Sequence, residues 1–111
     1  MTVRVEIFMR IEHEQVAEFL AECIVRNLDD TDMLPVADLY GMYVIWCEQR
    51  GIEPHVVQVF SQAVRLQGLE PGMSRNERVL KGVAATGPIP IQYILETDKG
   101  PSLNSAFGAL V

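Results

Sequence analysis

Five side chains fall along one stretch with types and spacing suited to reading a nucleic-acid groove: His55, Gln58, Ser61, Gln62 and Arg65. A glutamine amide donates and accepts at once, which matches adenine, and an arginine guanidinium makes a two-pronged contact with guanine. Gln58 and Gln62 are four residues apart, so on a helix they face the same way. Ser61 offers a hydroxyl to a phosphate or a base edge, and His55 stands at a helix start, where phosphates are favoured. A second group follows, Arg75, Asn76, Arg78 and Lys81, whose cations suit phosphate contacts. Each group has an ordinary counterpart, because a solvated helix face and a solvated hairpin carry the same residue types.

Other chemistries find less material. Cys23 and Cys47 have no CxxC spacing, and His13 and His55 do not complete a zinc ligand set with them. Both are expected as reduced core thiols. The acidic run LDDTD at 28–32 lacks the alternating spacing and distal glutamate of a calcium loop, so it reads as a solvated turn. There is no GxxxxGK[ST] phosphate loop, and neither histidine lies in a nucleophile context that would suit a Ser-His-Asp arrangement. The carboxylates cluster on the first helix and the loop after it, where solubility accounts for them. Tyr40, Tyr43 and Trp46 could stack on single-stranded bases, but a helix this apolar is expected to hold them in its core. The expectation is a non-catalytic chain with no cofactor and no metal.

The elements that must position these residues can be read from periodicity. Val3, Val5, Ile7 and Met9 alternate with polar residues, predicting a strand over residues 3–11. Val16, Phe19, Leu20, Cys23 and Ile24 then form the stripe of an amphipathic helix, expected to end near Asn27. A second helix is expected to begin near Pro35 and end at Gly51, a good C′ residue. Its apolar residues surround it, so it should be the central helix. After Pro54 comes a third helix, ending near Gly68. Its buried side is expected to be Val56, Val57, Phe60, Ala63 and Val64, with Val59 and Leu66 at the margin. The polar arc of His55, Gln58, Ser61, Gln62 and Arg65 lies opposite. Leu69–Met73 and Arg78–Ala84 predict a hairpin with a polar tip at residues 74–77. IPIQYILE at 89–96 predicts a last strand, with Pro88 and Pro90 confining its start to an edge. Residues 97–111 form a tail.

The order β-α-α-α-β-β-β, with a short turn between the second and third helices, predicts an α+β winged helix-turn-helix with additional strands at both ends. It would form one domain over residues 1–96. The terminal strands are expected to pair with each other or with a second copy, which would make a homodimer.

The net charge is −6, and its distribution matters more than its total. Residues 1–54 hold four basic and eleven acidic side chains, whereas residues 55–85 hold Arg65, Arg75, Arg78 and Lys81 against Glu70 and Glu77. Net positive charge is thus confined to the segment carrying both candidate groups. No apolar run approaches the roughly 20 residues needed to span a bilayer. Arg4, Glu6 and Arg10 interrupt the opening segment, so no signal peptide is read there. The chain is expected in the cytoplasm, away from membranes.

FLAEC at 19–23, LPVADLYGMYVIWCEQRG at 34–51, Phe60, Ala63-Val64, Gly68, Arg78 and Lys81-Gly82-Val83 together resemble the C-terminal domain of phage and plasmid primase-helicases. The resemblance covers about residues 16–84, and LYGMYVIWC is its most specific piece. It implies a winged helix associated with DNA engagement, in an accessory or regulatory role in replication or transcription of a phage, plasmid or mobile element. A replication or transcription protein is a further implied partner. The family's large catalytic domains have no counterpart here. This sequence departs from the pattern where Val59 and Leu66 stand at positions that are often polar, and where Glu70 and Glu77 dilute the wing. Those departures favour a second reading, in which an acidic protein-interaction winged helix binds a basic partner.

Overall fold

The computed structural model describes residues 14–29 and 31–97. The strand expected over residues 3–11 lies outside them, as does the expected tail apart from Thr97.

The first helix, α1, runs through residues 14–23 and buries Val16, Phe19, Leu20 and Cys23, the stripe its spacing predicts. It stops earlier than expected. Ile24–Val25 form a short strand, β1, paired antiparallel with β5, Ala84–Ala85. The Thr86 N–H also donates to the Cys23 carbonyl at 2.8 Å. These bonds come from sixty residues along the chain and override the helical periodicity that Ile24 continues. Asn27, the expected helix end, takes a left-handed φ of 63° in the loop that follows. That loop is fastened to the end of the hairpin, where Leu28 N–H donates to the Gly82 carbonyl at 2.9 Å and Gly82 N–H to the Asp32 carbonyl at 2.7 Å.

Met33–Pro35 form β2, a strand not anticipated from the sequence, and it passes without a linker into α2, Val36–Arg50. Pro35 is the N-cap of α2, and Gly51 closes it at φ 67°. The Ile52 N–H reaches back to the Cys47 carbonyl at 2.9 Å, so the terminal carbonyls are satisfied as a left-handed C′ glycine allows. Leu39, Met42, Tyr43, Ile45, Trp46 and Cys47 are all buried, which confirms α2 as the central helix. Aromatic rings tie it to its neighbours. Phe19 of α1 meets Tyr43 edge-on at 5.4 Å, and Phe60 lies 4.7 Å from Tyr43. Outside this cluster Glu22 accepts from the Trp46 indole N–H at 2.6 Å and from the Arg50 guanidinium, which itself lies over the Trp46 ring.

The third helix, α3, spans Val57–Leu66 and buries Phe60, Ala63 and Val64. Val56 and Val57, expected inside, are 60% and 42% exposed. Val56 is the N-cap, with extended backbone, so the helical projection does not apply to it and Val57 opens the first turn. A hairpin of β3, Glu70–Ser74, and β4, Glu77–Lys81, follows. Strand β2 pairs with the free edge of β4, giving a three-stranded antiparallel sheet in the order β2-β4-β3.

The segment expected as a strand over residues 89–96 is instead a helix, α4, Pro88–Thr97. Its prolines fall in the first turn, where backbone N–H groups have no helical acceptor and a fixed φ is suitable. Ile89 and Tyr93, one turn apart, are buried. Tyr93 lies against Gly41 of α2 and donates its hydroxyl to buried Asp38 at 2.7 Å. With α4 helical, residues 89–96 supply no strand to the expected pairing between chain ends.

The architecture is therefore α+β and winged-helix-like. Helices α1 and α3 pack on α2, the hairpin is the wing, β2 completes its sheet, and α4 packs on α2 through Tyr93. Among the described residues no helix is long and apolar enough to cross a membrane.

Candidate nucleic-acid interface

The outer face of α3 and the wing meet at an angle, and the sequence explains which side chains enter it. One turn of α3 separates Gln58 from Ser61 and Gln62, and one more brings Arg65 to the same side. Gln58, Gln62 and Arg65 are exposed and Ser61 is half-buried. Together with Val57 and Arg78 of β4 they line a cleft of about 490 Å³. Val57 is the one lining residue that sequence reasoning assigned to the core. The signal for it was the N-cap position of Val56.

Strand parity decides which wing charges share this face. Arg78 pairs in register with Met73, and Lys81 pairs with Glu70. Opposed residues of an antiparallel pair lie on one face, and successive residues alternate. Arg78 and Met73 therefore lie on the α3 side. Glu70, Glu77 and Lys81 lie on the other. The Lys81 stem runs over Gly72, where even a Cβ would come within 2.6 Å of its Cε. The acidic residues that dilute the wing in sequence are thus on the face opposite Arg78. The Tyr93 hydroxyl of α4 is raised by burial first, then by Asp38, with a smaller push from the Glu77 charge.

Arg75 and Asn76 form the wing tip, both exposed, with φ of 52° and 65°. Two successive positive φ values are the geometry of a type I′ hairpin turn, which matches the twist of the strands. His55 is separate from the cleft. It precedes the N-cap, is half-buried, and is held through its backbone: its carbonyl accepts from the Tyr40 hydroxyl at 2.8 Å and its N–H donates to the Tyr43 hydroxyl at 3.2 Å. The structure thus brings together Gln58, Ser61, Gln62, Arg65 and Arg78. Arg75 and Asn76 lie at the end of the wing, and His55 and Lys81 lie elsewhere.

The other candidate chemistry is absorbed by the core. Tyr43 and Trp46 are buried and Tyr40 is half-buried against Phe60. Cys23 and Cys47 are free, buried thiols, and burial pushes that of Cys23 up to about 12. No group of three or more His, Cys, Asp or Glu among the described residues is arranged to hold a metal ion.

Comparison with known proteins adds one match. The profile of the poxvirus D5 protein-like family matches residues 11–71, while neither curated proteins nor solved structures gave a match. The matched segment takes in α1, the central helix α2, α3 and the opening of the wing. It overlaps the stretch that resembles primase-helicase C-terminal domains. Because the match extends over more than half of the 111 residues, the chain belongs to the poxvirus D5 protein-like family.

Proposed function

We propose that this chain is a non-catalytic winged-helix protein that binds double-stranded DNA and serves in replication or transcription of a virus, plasmid or other mobile element, acting in the cytoplasm. The observation that carries the reading is the convergence of Arg78 from the wing with Gln58, Ser61, Gln62 and Arg65 from α3 around one cleft. Glutamine and arginine supply base-edge contacts, and the exposed cations supply phosphate contacts. Family membership and the resemblance to primase-helicase C-terminal domains support a place in replication. The cationic footprint is small, so tight binding calls for a second copy, another domain or a replication partner.

The test is fluorescence anisotropy of a labelled 30-base-pair duplex with the full chain, at low and at physiological salt, beside an Arg65→Ala/Arg78→Ala variant. Binding that weakens with salt and is lost in the variant supports the reading. No binding at low salt overturns it.

One set of observations favours a second reading, a protein-binding winged helix. Val56, Leu66 and Met73 are 60%, 58% and 64% exposed on or beside α3 and the wing, and apolar exposure of that kind suits a protein partner. An acidic first half suits a basic partner. Capture of a replication protein that survives the arginine substitutions would favour this reading over DNA.

A further inference from the structure

A second cleft, of about 340 Å³, opens in the same angle between α3 and the wing, and its character differs from that of the first. Its floor includes Val64, Leu69 and Leu80, each less than a tenth exposed, and Leu80 lies on the same face of the wing as Arg78. Arg65 and Arg78 also line it, one from the helix and one from the strand, with the Ser61 hydroxyl between the two clefts. Both guanidiniums are exposed, and neither is paired with a carboxylate among the described residues. Met73, 64% exposed beside Arg78, extends the apolar surface outward.

The volume lies at the lower end of the range for small-molecule sites, about 300–1,000 Å³. A phosphate backbone would satisfy the arginines but leave the apolar floor to water. An uncharged apolar molecule would fill the floor and leave two cations facing nothing. Both requirements are met by a molecule with an apolar body and one carboxylate, which can take hydrogen bonds from two guanidiniums while its body is desolvated.

We infer that the cleft between α3 and the wing is a binding site for a small amphipathic carboxylate, its chain on Val64, Leu69 and Leu80 and its carboxylate between Arg65 and Arg78. Because the same two arginines belong to the proposed duplex-binding face, the ligand and duplex DNA exclude one another. Only that exclusion rests on the DNA reading; the binding does not.

Octanoate is the probe, titrated against methyl-labelled full chain and followed by NMR. Saturable shifts are expected at Val64, Leu69, Met73 and Leu80. Octan-1-ol, which keeps the chain and lacks the charge, should bind roughly tenfold or more weakly. Arg65→Ala/Arg78→Ala should abolish the preference for octanoate over octan-1-ol while octan-1-ol still binds, which also establishes that the variant is folded. The absence of saturable shifts, equal affinity for the two probes, or a preference that survives in the arginine variant would each overturn the site. Octanoate is further expected to release bound duplex in parallel with its own occupancy. Occupancy without release overturns the exclusion alone. A chain that binds octanoate but never binds duplex overturns the DNA reading and leaves the carboxylate site standing.

Discussion

Substitution of Lys81 and of Arg78 should separate two cations that are three residues apart in sequence. Their strand parity places Arg78 on the α3 side of the wing and Lys81 on the other side. If duplex DNA binds on the proposed face, Arg65, Arg75 and Arg78 would neutralise about three phosphates, and at about −0.9 per contact the slope of log K against log salt would be about −2.7. Between 50 and 200 mM salt this is a loss of about fortyfold in affinity. If Lys81 also reached the backbone, the slope would be about −3.6 and the loss about 150-fold. Arg78→Ala should flatten the slope by about 0.9, so that it loses only about twelvefold over the same range. Lys81→Ala should leave the slope unchanged. Anisotropy titrations at five salt concentrations, with wild type and both variants, resolve these differences. Equal flattening in the two variants, or a wild-type slope near −3.6, would refute the argument from register.

The Gly41→Ala substitution puts a Cβ into the Tyr93 ring and should destabilise the chain by about 1–3 kcal/mol through overpacking, read as a lowered urea midpoint. Tyr93→Phe leaves buried Asp38 without its phenolic donor and should cost about 1–3 kcal/mol in the same assay. Glu22 is held below the ordinary carboxylate value of 4.5, first by the Trp46 indole and then by Arg50. A lowered folded value means its contribution is present above the unfolded value and is lost as pH falls through the folded one. The urea midpoint of wild type should therefore fall relative to Glu22→Gln below about pH 4.5, by a small, salt-sensitive amount because the side chain is 43% exposed. The raised Cys23 thiol should resist a thiol reagent at pH 8 in the folded chain and react on unfolding; rapid labelling without urea would contradict its burial.

The long elements were legible because their signals are local. Helix α2 carried a proline at its start, a glycine past its end and apolar residues on all sides, and each does what its chemistry predicts. The polar arc of α3 projects correctly from Gln58 to Arg65. Its valines misled because the projection was carried past the N-cap at Val56. What the sequence concealed depends on distant partners. Ile24 continues a helical stripe and becomes a strand only because Ala84–Ala85 pairs with it. Met33–Pro35 is too short to show a period and is a strand because β4 has a free edge. At 89–96, two isoleucines beside prolines suggested an edge strand, whereas the one-turn spacing of Ile89 and Tyr93 was the helical signal. The separation of Lys81 from Arg78 was available from counting by twos along β4, once that strand was granted.

The absence of any residue between β2 and α2 has a practical consequence for remodelling the chain. Pro35 pairs with Val79 of the wing and is also the cap of α2, so sheet and helix share a junction with no slack. Inserting one residue between positions 35 and 36 would turn α2 by about 100° relative to the sheet and carry its buried face out of the core. The Arg75–Asn76 tip has no such constraint. It is exposed and joins two strands whose register is set along their whole length. A tag, a fluorophore-bearing loop or a new pair of chain ends there would spare the fold while sacrificing the Arg75 contact proposed for duplex DNA, and the 35/36 junction should be left intact in any redesign.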